Sequence, residues 1–77
     1  MEPIIKIVQP FNYINLIKIY APRIKNANTI SFLVKIDELF TTIDLLNDGI
    51  WQDANMREKY PVEVINLIVE EIQYKYL

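Results

Sequence analysis

The side chains here that could do chemistry are carboxylates, amines, hydroxyls and rings, because the chain has no His and no Cys. That absence excludes a Ser-His-Asp triad, a thiol nucleophile and the usual zinc ligand sets. A single Gly leaves neither of the common phosphate-cradling glycine loops. Asp44, Asn47, Asp48 and Asp53 gather around Gly49 and invite a calcium reading. An EF-hand loop needs oxygen ligands at its first, third and fifth positions and Gly at the sixth. Counted from Asp44, the third position is Leu46, so the register fails and a solvated turn is the simpler reading. Glu70 and Glu71 are neighbours that diverge on a helix, and Glu63 shares with Glu70 a face that reads as solvent. No acid–base pair follows from them, and no catalytic residue, metal or cofactor is expected. The chain reads as a non-enzyme.

The remaining chemistry is that of binding. The net charge of −2 hides a division along the chain. Residues 1–35 hold Lys6, Lys18, Arg23, Lys25 and Lys35 against Glu2 alone, whereas residues 36–77 hold nine acids against Arg57, Lys59 and Lys75. Glu63, Glu70 and Glu71 are the candidate acidic face, suited to steering toward a basic protein surface. Trp51, beside a polar turn, is a candidate anchor, since Trp is enriched among binding hot spots; its plainer role is to close the edge of a small core. Lys18, Arg23, Lys25 and Lys35, with Phe11, Tyr13 and Tyr20 close in sequence, are raw material for a nucleic-acid surface built on the 21–28 loop and its adjoining strands. Each charged group also has the ordinary role of keeping a surface solvated.

These groups need elements to position them. Pro3, Pro10 and Pro22 divide the first 22 residues and leave no room for a long helix there. Residues 4–8 read as one β-branched strand and residues 13–20 as a second. In the second, Ile14, Leu16, Lys18 and Tyr20 share one face, and Tyr13, Asn15, Ile17 and Ile19 the other. Residues 21–28 read as a polar connection. Residues 29–36 carry the clearest pattern: Ile30, Phe32, Val34 and Ile36 alternate with Thr29, Ser31, Leu33 and Lys35, as a half-buried strand requires. Asp37 then suits a helix N-cap, Leu39, Phe40, Ile43 and Leu46 fall on one helical face, and Gly49 suits its end. Residues 50–60 read as a connection with a short helical turn begun by Asp53. Pro61 suits the first position of a final helix striped with Val62, Ile65, Ile68, Val69, Ile72 and Tyr76.

The expected fold is one small α+β domain spanning 1–77: a three-stranded antiparallel sheet followed by two helices packed on one face. The alternative is an all-α bundle with 11–21 and 29–47 helical. The expected core is Ile30, Phe32, Val34, Ile36, Phe40, Ile43, Ile65, Val69 and Ile72. Two helices on one side cannot cover Ile14 and Leu16 as well as Ile17 and Ile19, so Ile17 and Ile19 are candidate contact residues and a homodimer or a tight partner complex is expected.

The sheet-then-helices order, the small size and the acidic helical half resemble some small phage inhibitors of bacterial defence complexes, in architecture and without shared signature residues. Fourteen Ile, seven Asn, six Lys and five Tyr have AT-rich codons, which fits a phage or mobile element. The expected function is therefore a protein-interaction module: a regulator, inhibitor or accessory subunit that occupies a protein partner's surface, such as that of a host nucleic-acid enzyme. The alternative is a small nucleic-acid-binding protein. No apolar run approaches a membrane span, no secretory leader is visible, and a cytoplasmic location with no membrane partner is expected.

Overall fold

The computed structural model describes residues 2–76. Its elements in chain order are β1 (Ile5–Phe11), β2 (Ile14–Ile19), β3 (Arg23–Asn26), β4 (Thr29–Ile36), β5 (Leu39–Leu46), β6 (Trp51–Asp53), α1 (Met56–Lys59) and α2 (Val62–Tyr76). The six strands form one antiparallel sheet in the order β1-β2-β4-β5-β6. β3 pairs with β4 beyond the end of β2, so β4 is flanked by β2 along one half of its edge and by β3 along the other. Both the three-stranded expectation and the all-α alternative are corrected by this sheet, as is the second strand-covering helix.

The correction turns on Asp37. It takes a left-handed φ of 52°, a conformation that Asp tolerates better than most residues. With Glu38 it reverses the chain between β4 and β5 instead of capping a helix. Its carboxylate accepts the backbone N–H groups of Asn15 and Leu16, each at 3.0 Å, and so ties the turn to β2. From that turn, β5 pairs with β4 along eight consecutive residues, from Ile36 opposite Leu39 to Thr29 opposite Leu46. The β-branched run Thr41-Thr42-Ile43 suits this extended path better than a helix. Residues 21–28 are likewise not a plain connection, since Arg23–Asn26 form β3. At the next reversal Gly49 has φ 85°. Nothing lies within 4 Å of where its Cβ would stand, so conformation and not space selects glycine there. The helical turn after Asp53 is present as α1, where Asp53 Oδ2 meets Arg57 Nε at 3.1 Å.

α2 follows Pro61 as its sequence predicts and lies across one face of the sheet. Val64, Ile65, Ile68 and Ile72 are its buried stripe. Full burial of each such side chain contributes about 1.5–3 kcal/mol, which is why one amphipathic helix can hold a sheet of this size. Beneath it lie Ile17, Ile19, Phe32, Val34, Ile36 and Ile43, with Ile14 and Met56 completing the cluster. Of the expected core, Phe32, Val34, Ile36, Ile43, Ile65 and Ile72 are buried and Val69 is half-buried against them. Phe40 is not. The hairpin sets it opposite Lys35, on the face away from α2, where it is 58% exposed. Ile30 shares the face of Phe32 but is 41% exposed.

Candidate functional site

Ile30 escapes burial because the inner face of the sheet is longer than the helix that covers it. The register sets Ile24 opposite Ile30, Ile30 opposite Leu45, and Leu45 opposite Trp51. These four side chains form an apolar row across β3, β4, β5 and β6. Gln73, near the C-terminal end of α2, borders it, and the row floors an open groove of about 650 Å³ rimmed by Asn26, Asn28 and Asn47. Ile24, 83% exposed, stands at its outer edge on β3. Trp51 packs against the core and also lines the groove. Its ring lies 6.1 Å from that of Phe32, which in turn is 5.9 Å from that of Tyr76, so it closes the core while lining the groove.

Ile17 and Ile19 are fully buried beneath α2 and present no contact surface. The two-sided surplus that motivated a homodimer through β2 disappears with them, because the apolar residues of β2 that exceeded a simple sheet face are the centre of the core. The acidic residues divide by their place on α2. Glu63 and Glu70 lie on its solvent side, seven residues and nearly two turns apart, whereas Glu71 is turned about 100° from Glu70 and is half-buried. Glu63 has a structural bond as well: the Tyr13 hydroxyl, at the β1–β2 turn, donates to its carboxylate. That hydrogen bond, reinforced by the adjacent negative charge, pushes the Tyr13 hydroxyl from its ordinary 10.0 up to about 12.

The cations of the strands are gathered on the sheet face opposite α2, while Arg57, Lys59 and Lys75 belong to the helices. Lys6 stands directly across from Lys18, Lys18 from Lys35, and Lys35 from Phe40, a single cross-strand row over β1, β2, β4 and β5. Lys35 Nζ lies 5.4 Å from the centre of the Phe40 ring, and the Tyr20 ring is 6.4 Å from it. Arg23, opposite Ser31, adds a further exposed cation on this face. Lys25 is committed differently, to Asp44 at 2.9 Å. Sequence spacing alone brings Lys18, Arg23, Lys25 and Lys35 near one another only loosely. Lys6 and Phe40 join them through strand pairing, and the signal that would have found them is the two-residue Asp37-Glu38 break between alternating runs.

The acids around Gly49 serve the turns. Asp48 Oδ1 accepts the Ile50 N–H at 3.1 Å, Asp53 pairs with Arg57, and Asp44 pairs with Lys25 while its Oδ1 has no partner among the described residues. Among the described residues no cluster of three metal-ligating side chains occurs, and no helix is long and apolar enough to cross a membrane. No family model, curated protein or solved structure matches the chain.

Proposed function

We propose that this chain is a non-catalytic interaction module, a regulator, inhibitor or accessory subunit, that works by occupying the surface of a protein partner. The observation that carries the reading is the apolar row Ile24–Ile30–Leu45–Trp51 running out from under α2. A domain this small has few large apolar groups to leave in water, and exposed apolar patches with polar rims characteristically mark contact sites. The occupant that fits is a protein segment presenting an apolar side chain to the groove, flanked by basic residues. Asp48, between the lining residues Asn47 and Gly49 in the turn from β5 to β6, supplies a negative charge beside an otherwise uncharged lining.

The test is a comparison of captured partners. The parent protein and the Ile24→Asp variant are used as bait in host lysate, and a protein retained only by the parent is purified and titrated against both. The expected result is a loss of at least about tenfold in affinity for Ile24→Asp, the scale of one truncated hot spot. Reversal of Glu63 and Glu70 to Lys should slow association, with the difference shrinking as salt rises. Equal affinity of the parent and Ile24→Asp for the captured protein rejects the groove as the contact.

A further inference from the structure

We propose that the open face of the sheet is a binding surface for single-stranded nucleic acid, with phosphates on the Lys6–Lys18–Lys35 row and a base on Phe40. This site lies on the opposite side of the sheet from the groove and does not depend on the partner reading above.

The row is costly as it stands. Neighbouring strands are separated by about 4.8 Å, so the Cα atoms of the three lysines fall within a span of about 10 Å. Like charges directly opposite one another on a sheet are destabilising. Among the described residues no carboxylate forms an ion pair with any of the three. A phosphate backbone laid along the row removes that repulsion. Arg23 extends the positive surface on the neighbouring strand β3.

The aromatic end of the row narrows the ligand class. Phe40 is 58% exposed, is flanked by the Tyr20 ring, and carries Lys35 at its face. A ring beside backbone-binding cations is the arrangement on which single-stranded nucleic acids stack their bases. A duplex keeps its bases stacked inside, and among the described residues no helix or ribbon projects from this face to enter a major groove. The acids on this face are Asp44, in register with Ser31 and paired with Lys25, and Asp37 and Glu38, which share a small pocket with Lys18 and Lys35 at the β4–β5 turn. Asp37 is already engaged by two backbone N–H groups. Glu38 is exposed and disfavours phosphate at that end, so the strand runs from the row toward Tyr20 and Arg23. Glu63 and Glu70, which make the whole chain acidic, lie on the far side of the helix layer.

Fluorescence anisotropy with labelled oligothymidylate and oligouridylate, begun at low salt and titrated upward, tests the proposal. The expected result is binding whose logarithm falls linearly with log salt, by about 0.7 for each phosphate neutralised. Lys18→Ala with Lys35→Ala should weaken binding and flatten that slope by about 1.4. Phe40→Ala should weaken it about 5- to 150-fold, the range of one lost stacking contact, and leave the slope unchanged. All three side chains face away from the core, and circular dichroism confirms that the variants fold. Glu63→Lys with Glu70→Lys should leave affinity unchanged or raise it. Absence of binding at low salt overturns the proposal. So does equal affinity for a duplex, for polyglutamate or for anionic vesicles, and so does binding indifferent to Phe40→Ala.

Discussion

The two faces of β4 have opposite fates within one strand. Phe32, Val34 and Ile36 are sealed under α2, whereas Ser31, Leu33 and Lys35, alternating with them, are only half-buried on the opposite face. The difference teaches how a chain of this size divides its surface. One helix suffices for one side of the sheet, so apolar residues concentrate there and the other side is free to hold cations. The division fails in one place, past the end of α2, where Ile30 has the inward parity of Phe32 and still meets solvent. Each face therefore offers its own surface: an apolar groove on the covered side and a charged row on the open side.

The comparison breaks most severely at Phe32. Phe32→Ala empties the space between Trp51 and Tyr76 and should cost about 3–5 kcal/mol, enough to unfold a domain with a small core. Ile24→Ser, on the same face but outside the helix's cover, should stay within about 0.5 kcal/mol of the parent. Thermal melts of the two variants measure this directly. Similar midpoints would mean that α2 does not define the boundary of the core.

On the open face the sign reverses. Lys18→Thr removes the central charge of the row and places a β-branched residue in a strand, so it should raise stability by about 0.2–1 kcal/mol at low salt. Added salt screens the remaining exposed charges, and the gain should shrink accordingly. A loss of stability instead would show that the Lys18 stem contributes more by packing than its charge costs.

The smallest effect is expected at the seam between the layers, where Tyr13 donates to Glu63. The Tyr13 hydroxyl titrates near 12 in the folded protein against an ordinary 10.0. A raised value means that the folded state holds the proton more tightly than the unfolded state does. The stabilisation is therefore complete below pH 10 and disappears as pH rises through 12. Tyr13→Phe should lower the melting midpoint slightly at neutral pH, and the gap from the parent should close across that alkaline window. A gap that persists above it would assign the effect to ring packing, since Tyr13 also stacks on Phe11 at 5.4 Å.

The last helix was legible from residues alone, because Pro61 marks its start and its apolar positions repeat at the helical period. The alternation through Phe32, Val34 and Ile36 was legible for the same kind of reason, since period two fits these positions better than a helical face does. Residues 39–46 were not. Leu39, Phe40, Ile43 and Leu46 satisfy a helical stripe, while Leu39, Thr41, Ile43 and Leu45 satisfy a strand face, and local pattern does not choose between them. Pairing with β4 chooses, through contacts that close only when the chain reverses at Asp37. The candidate surfaces follow the same rule. Charge segregation between the two halves was visible in the order of residues, and so was Trp51. The Lys6–Lys18–Lys35–Phe40 row and the Ile24–Ile30–Leu45–Trp51 row each draw one residue from each of four strands. Their members are neighbours through register, which is a property of backbone pairing across the sheet and has no counterpart in spacing along the chain.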